Sequence, residues 1–161
     1  MIDGLGHGPE AALAMRAARE VLASNASDSP SSLVERCHLA LRGTRGAAIT
    51  VASLREDRLR WLGVGNVEAL LVRTEPPQLR FAPLRAGVVG EVLPPSSEAE
   101  LPLQVGDTLI FATDGIRADF ADAPEIGLRP AEVAQRVLER FGKASDDALV
   151  LVLRLSEGAA R

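Results

Sequence analysis

The spacing of apolar residues near the start of the chain predicts a helix. Between Pro9 and Ser24 apolar residues recur every three or four positions, which is the period of an amphipathic helix. We expect its buried stripe to pass through Leu13, Ala17 and Val21, flanked by Ala14, Ala18 and Leu22. The many alanines make this helix slim, so that it can lie close against a sheet.

Two further helices follow the same period. The second is predicted from Pro30 to about Arg42, because Ser29 can cap it and Gly43 can stop it. The third begins at Pro130 and stops at Gly142.

From Ala47 the period shortens to two, which indicates β-strands. A turn at Glu56-Asp57 predicts an antiparallel hairpin, the alternation resumes over Val67–Arg73, and Thr108–Thr113 is a mostly apolar strand. Ala148–Leu153 is continuously apolar, which predicts a central strand covered on both faces. Helices, a run of antiparallel strands, a helix and a last strand together favour the α+β class.

Length and composition narrow the class of protein. The 161 residues predict one domain over residues 1–161, with residues 156–161 as a frayed tail. The net charge of −4 gives no basic surface for nucleic acid or an anionic membrane, and the longest apolar run is too short to span a bilayer. The acidic, glycine-rich start does not resemble a signal peptide, so the predicted compartment is the cytoplasm.

Cys37 and His38 lie on or beside the apolar stripe of the second helix. Cys37 is the only cysteine, which excludes an intrachain disulfide and a cysteine-cluster zinc site. We expect a small buried hydrophobe at Cys37, and a structural or surface role for His38 because it has no ligand partner at a suitable spacing.

Three acidic turns carry the candidate chemistry. Asp3 opens the stretch Asp3-Gly4-Leu5-Gly6-His7-Gly8, Asp114 ends an apolar strand, and Asp146 precedes another. Carboxylate and carbonyl oxygens are the ligands that Mg²⁺ and Mn²⁺ prefer, and two such metals activate water and clamp a phosphoryl group. Asp-Gly is also a common turn pair and an acid before a helix is often a cap, so residue types alone leave both interpretations open.

The order of these motifs resembles a known family. Asp3-Gly4-Leu5-Gly6-His7-Gly8, Gly65-Asn66, Thr113-Asp114-Gly115-Ile116 and Asp146-Asp147-Ala148-Leu149-Val150 occur as in the metal-dependent protein serine/threonine phosphatases (PPM), and especially in their bacterial SpoIIE-like branch. The resemblance covers nearly the whole chain. It implies an α-β-β-α sandwich of two antiparallel sheets flanked by helices, with a site for two Mn²⁺ or Mg²⁺ ions.

The resemblance also implies roles for individual residues. Asp3 corresponds to a carboxylate that bridges both metals, and Gly4 to a residue that offers its backbone carbonyl. Asp114 and Asp146 correspond to further ligands, and Asp147 to a hydrogen-bonding neighbour. The implied catalytic residues are therefore Asp3, Asp114 and Asp146, and the implied metal ligands are these three with Gly4.

The implied substrate is a phosphoserine or phosphothreonine on a small signalling protein, such as a STAS-domain protein of a stressosome or sigma-factor pathway. The family normally has two strands with another acidic ligand before the Asp-Gly motif, whereas only Met1 and Ile2 precede it here. Either the chain is truncated, its start is misplaced, or it lacks part of the sheet and one ligand, and in each case we expect the amino-terminal strands to be missing.

Two alternatives stay open. His7 is either a capping or loop-packing residue or a participant in the site, since Leu5 stands where some relatives carry a histidine. The chain is either a phosphatase or a phosphatase-fold adaptor that binds a partner without catalysis. Oligomeric state is not predicted.

Overall fold

The computed structural model describes residues 1–122, 124 and 126–156. The chain forms two compact units, of which the first comprises Met1–Val67 and Pro83–Leu101 and the second comprises Glu68–Ala82 and the chain from Pro102 onward. The single domain predicted from length stays a prediction. Of the predicted frayed tail, Ser156 has no regular structure and residues 157–161 lie outside the described residues.

The helices and strands follow one another in an order close to the predicted one. They are β1 (Ile2–Gly4), α1 (Pro9–Ser24), α2 (Pro30–Ala40), β2 (Ala47–Arg55), β3 (Arg58–Val64), β4 (Glu68–Thr74), β5 (Pro77–Phe81), β6 (Leu84–Arg85), β7 (Ala99–Pro102), β8 (Thr108–Ala112), a 3₁₀ helix (Ala118–Ala121), α3 (Pro130–Phe141) and β9 (Val150–Arg154). The α+β class is confirmed. No helix in the described ranges combines the length and apolarity needed to cross a membrane.

Helix α1 has the predicted bounds but a different buried face. Its fully buried residues are Ala11, Ala14 and Ala18, whereas Leu13 is 54% exposed. The prediction is therefore wrong at Leu13, whereas Ala17, Val21 and Leu22 pack partly buried against the core as expected. The reason is steric, because a face of alanines lets the helix backbone approach the sheet more closely than a face of leucines.

The first unit is built on a sheet with strand order β1-β2-β3-β6, to which β7 adds by pairing with β3. All of the registered pairs are antiparallel except β3 with β6, a parallel pairing that the sequence pattern did not predict. Helices α1 and α2 pack on this sheet, and Ser29 caps α2 by accepting a hydrogen bond from the Ser32 backbone N–H at 3.2 Å. The core consists of small and branched side chains, among them Ala14, Val34, Ile49 and Leu62.

The second unit contains an antiparallel sheet of order β5-β4-β8-β9, with α3 and the 3₁₀ helix over one face. Val133 and Val137 of α3 pack with Leu70, Ile110 and Val152 of the sheet. The predicted bounds of α3 are confirmed.

Strand β9 is an edge strand and not the central strand that its apolar run predicted. Among the described residues it pairs with β8 alone, and Leu149, Leu151 and Leu153 are 54%, 42% and 40% exposed. Val152, which faces α3, is buried. Apolarity on both faces predicted two covering layers, but at the edge of this sheet only the α3 side of the strand is covered.

A buried ion pair holds β4 to the turn before β8. The Arg73 guanidinium donates to both Asp107 carboxylate oxygens, at 2.8 and 2.6 Å, and to the Pro102 carbonyl at 2.8 Å. Asp107 also accepts from the Gln104 backbone N–H at 2.8 Å. Both side chains are nearly inaccessible, at 8% and 1% exposure. The hydrogen bond to Asp107 raises the pKa of the Arg73 guanidinium further, so Arg73 stays charged.

Candidate metal centre

The segment that carries Asp3 lies in the first unit and passes from strand to helix within a few residues. Asp3 is half-buried in β1, opposite Ala48 of β2. Gly4 ends the strand under the first turn of α1, where a Cβ would lie 2.7 Å from the Ala11 carbonyl oxygen. Gly8, with φ of 82°, is the N-cap, and Pro9 is the first residue of α1 as predicted. The segment is thus a strand end followed by a glycine turn at a helix N-terminus.

His7 is exposed on this turn. The cap residue of α1 is Gly8, and no side chain makes a capping hydrogen bond there. The capping interpretation of His7 is therefore wrong, whereas its loop-packing role and its participation in the site both stay predictions.

Asp114 lies at the end of β8, in the second unit. The ladder between β8 and β9 extends past the strands, because the Thr113 N–H donates to the Leu149 carbonyl at 3.1 Å and the Leu149 N–H donates to the Thr113 hydroxyl at 3.0 Å. Asp114 follows this last pair and is half-buried. These hydrogen bonds to the sheet thus fix the backbone from which the Asp114 side chain extends.

The turns that carry Asp114 and Asp146 are in direct backbone contact. A Cβ on Gly115 would lie 2.1 Å from the Asp147 carbonyl oxygen and 3.0 Å from the Ala148 Cα, so only glycine allows this approach. The Asp146 carboxylate accepts a hydrogen bond from the Asp147 N–H at 2.9 Å, and both aspartates are exposed. Folding of the second unit therefore brings these two predicted ligand turns together.

The end of α3 reinforces the same contact. Ile116 and Gly142 form an isolated β-bridge, and the Arg117 N–H donates to the Phe141 carbonyl at 2.9 Å. Lys143 then donates through its backbone N–H to the Gly115 carbonyl at 2.8 Å and through Nζ to the Asp114 carbonyl at 2.5 Å.

Two charged residues near the acidic turns, Lys143 and Glu68, were not among the predicted site residues. Glu68 begins β4 opposite Ala112, two residues before Asp114, and burial raises the pKa of its carboxyl group. A single glutamate before an apolar strand gives no sequence signal. Lys143 did give one, because it is the only lysine of the chain.

The donor chemistry of the second unit suits a hard divalent cation. Mg²⁺ is commonly held by one or two carboxylates, with water and substrate phosphate completing the shell, and Asp114 and Asp146 supply two carboxylates on adjoining turns. Within the described ranges, no three His, Cys, Asp or Glu side chains form a group that could hold a metal ion. The ligand roles of Asp3, Gly4, Asp114 and Asp146 therefore stay predictions.

Cys37 and His38 have the structural roles expected for them. Cys37 is fully buried in the core of the first unit, and burial raises the pKa of its thiol to about 11. A thiol with so high a pKa is a poor nucleophile at neutral pH. His38 accepts a hydrogen bond through Nδ1 from the Gly90 backbone N–H at 3.0 Å.

Comparisons with protein-family models and with known proteins indicate the same family. The sequence model of the family described as "Stage II sporulation protein E (SpoIIE)" matches residues 1–156. Phosphoserine phosphatase RsbX of Bacillus subtilis (strain 168) is 25% identical over 158 residues, which cover 96% of this chain and 78% of RsbX.

Solved structures agree in fold. A chain described under "The bacterial stressosome: a modular system that has been adapted to control secondary messenger signaling" is 28% identical with a TM-score of 0.84, over 95% of this chain and 82% of that one. RsbX in complex with magnesium matches at 22% identity and a TM-score of 0.80, over 94% and 76% of the two chains. The Mycobacterium tuberculosis serine/threonine phosphatase PstP/Ppp matches at 18% identity and 0.76, over 97% and 87%. The sheets and helices of the described residues have the PPM phosphatase fold. The family match over residues 1–156 shows that the chain belongs to the SpoIIE family.

Proposed function

We propose that the chain is a metal-dependent phosphatase that hydrolyses phosphoserine or phosphothreonine on a bacterial signalling protein. The observation that carries the proposal is the backbone contact between the Asp114-Gly115 and Asp146-Asp147 turns at one end of the second sheet. Two acidic turns are in close contact here, and a glycine keeps the contact free of side-chain atoms. This arrangement suits the binding of a divalent cation better than it suits a purely structural role.

In this proposal Asp114 and Asp146 of the second unit would hold a divalent cation, and the ligand roles that the family resemblance implies for Asp3 and Gly4 of the first unit stay predictions. The metals are Mn²⁺ or Mg²⁺, which when bound activate water and stabilise the charge of the phosphoryl group in transfer. The chain's own contribution is to hold its oxygens in place. Thr113 does this for the Asp114 turn by engaging both backbone groups of Leu149.

The partner in this proposal is a phosphorylated signalling protein, with a STAS-domain protein of a stressosome or sigma-factor pathway as the leading candidate. Similarity to a phosphoserine phosphatase and to a chain described with the bacterial stressosome supports this class of partner. The net charge of −4 argues against nucleic acid as a substrate. The cytoplasm stays the predicted compartment.

A second candidate is an adaptor that keeps the phosphatase fold and binds its partner without catalysis. The observation that favours it is that no group of three metal-binding side chains occurs among the described residues. An adaptor requires no metal, so metal dependence separates the two functions.

Phosphate release from a phosphoserine protein, with and without Mn²⁺, tests the proposal. We expect release by the unaltered chain that depends on Mn²⁺ and falls at least a hundredfold in Asp114→Asn, on the order expected when a catalytic group is lost. Asp119→Asn is the matched control, since Asp119 is an exposed aspartate of the same unit that pairs with Arg117 on the surface. Release that is equal in the unaltered chain and in Asp114→Asn would contradict the proposal.

A further inference from the structure

Lys143 is the only lysine of a chain that contains seventeen arginines. It follows Gly142 in the short loop between α3 and the Asp146-Asp147 turn. The side chain is exposed, so its position is not explained by packing in a core.

Three hydrogen bonds join Lys143 to both acidic turns of the second unit. Its Nζ donates to the Asp114 carbonyl at 2.5 Å, and its backbone N–H donates to the Gly115 carbonyl at 2.8 Å. Its own carbonyl accepts from the Asp146 N–H at 3.5 Å. Lys143 therefore contacts the backbone of the turn that carries Asp114 and the backbone of the turn that carries Asp146.

The backbone and the side chain of Lys143 make separate contributions. The loop is anchored by main-chain bonds in any case, through the bridge of Gly142 with Ile116 and the bond from Lys143 to Gly115. The side chain adds a charge-assisted hydrogen bond to the Asp114 carbonyl, which is stronger than a bond between neutral groups. Because the carbonyl belongs to the peptide that joins Asp114 to Gly115, this bond fixes the orientation of that peptide.

We propose that Lys143 is a positioning residue of the candidate metal centre, whose ammonium group holds the Asp114 turn in register with the Asp146 turn. The proposal rests on the proposed function, because the register matters for metal binding and turnover. Functional groups must be held within roughly 0.5 Å of their productive geometry, and a neighbour that locks the backbone is one way to achieve this.

Lysine suits this role better than the arginines that the chain uses elsewhere. Its ammonium is a compact charge on a flexible stem with three donors, so it can reach a single carbonyl end-on and keep two donors for solvent or a phosphoryl group. Arginine presents a wider planar fork, so we expect Lys143→Arg to restore the function of Lys143→Met only in part.

The first test is hydrogen exchange in the metal-free chain. In Lys143→Met we expect amide exchange of residues 113–117 and 146–149 to rise roughly five- to tenfold, since one charged hydrogen bond is lost at an exposed site. Arg80→Met is the matched control, because it removes one exposed positive charge from β5 of the same unit. Unchanged exchange in Lys143→Met would overturn the positioning role of Lys143 and would leave the proposed function unaffected.

The second test is the affinity for Mn²⁺, measured by calorimetry. We expect Lys143→Met to raise the Mn²⁺ dissociation constant roughly five- to tenfold, Lys143→Arg to raise it less, and Arg80→Met to leave it unchanged. Faster exchange combined with unaltered Mn²⁺ affinity in Lys143→Met would overturn the proposal. If the unaltered chain shows no saturable Mn²⁺ binding, the proposed function fails, and the role of Lys143 at a metal centre fails with it.

The single lysine also allows a direct measurement of proximity. Reductive ¹³C-methylation labels Lys143 and the Met1 amine, which donates to the Thr50 carbonyl at 2.7 Å, and Lys143→Arg identifies the lysine signal by removing it. Paramagnetic Mn²⁺ should broaden the Lys143 signal at substoichiometric concentration. A lysine signal that stays sharp at saturating Mn²⁺ would place the metal elsewhere and overturn the proposal.

Discussion

Gly115→Ala is the smallest change that tests whether contact between the two acidic turns matters. The added methyl carbon would lie 2.1 Å from the Asp147 carbonyl oxygen, 2.8 Å from its carbonyl carbon and 3.0 Å from the Ala148 Cα. All three atoms belong to the backbone, so no side-chain rotation relieves the overlap. One of the two turns has to move.

The size of the movement follows from the contact distances. Raising the shortest one from 2.1 Å to 3.0 Å, the lower limit of real Cβ contacts, requires a displacement of at least 0.9 Å. Misplacing a catalytic group by about 1 Å costs on the order of a hundredfold in rate, and overpacking costs about 1–3 kcal/mol in stability. We therefore expect Gly115→Ala to lose roughly a hundredfold in Mn²⁺-dependent phosphate release while remaining folded.

Gly127→Ala is the matched control. It makes the same chemical change in the same unit, but among the described residues no atom beyond Gly127 and its two chain neighbours lies within 4 Å of the added Cβ. Phosphate release and urea unfolding should be measured on both variants and on the unaltered chain. We expect Gly127→Ala to retain full activity. Turnover and Mn²⁺ affinity in Gly115→Ala that match those of Gly127→Ala would refute the argument that the two turns act as one site.

Three further predictions concern stability and surface. Replacing Arg73 by Met leaves Asp107 buried without its partner and should cost about 3–5 kcal/mol in urea unfolding, whereas a cost below about 1 kcal/mol would show that the pair is solvated. The thiol pKa of Cys37 is about 11 in the folded chain against its usual 9.0, so the folded chain binds the thiol proton more tightly than the unfolded chain does. The free energy of unfolding should therefore fall as pH rises from 9 to 11, and Cys37→Ala should flatten this slope. An unchanged slope in Cys37→Ala would show that the thiol is accessible to solvent. Leu151→Glu places a charge at an exposed position of β9 and should change the free energy of urea unfolding by less than about 1 kcal/mol, whereas a cost above about 2 kcal/mol would show that the side chain is buried.

The helices and most strands could be predicted because their signals are local. Pro9, Pro30 and Pro130 each occupy the first position of a helix, and the Glu56-Asp57 turn separates β2 from β3 as predicted. These features depend on the fixed φ of proline and on the spacing of apolar residues, both of which can be read directly from the sequence.

The errors concern properties that depend on distant parts of the chain. The apolar run before Arg154 predicted a central strand, but only the strand order of the sheet shows that β9 lies at an edge. The buried face of α1 depends on how close the helix approaches its sheet, which the apolar period does not determine. The parallel pairing of β3 with β6 joins segments that carry no shared local signal.

The candidate site divides in the same way. Asp114 and Asp146 could be selected from their positions next to apolar strands, and the family resemblance gave them roles. Their contact depends on Gly115 meeting the Asp147 backbone, which no spacing of residues could reveal. The contribution of Lys143 was missed because a lone lysine after a helix ordinarily indicates solvent exposure.

Calorimetric titration with Mn²⁺ measures whether the two acidic turns of the second unit bind a metal. We expect saturable binding by the unaltered chain, weakened tenfold or more in Asp114→Asn and in Asp146→Asn, as is common when a metal shell is disturbed. Asp147→Asn should bind as the unaltered chain does. Equal affinity in all four chains, or no saturable binding by the unaltered one, would contradict the account.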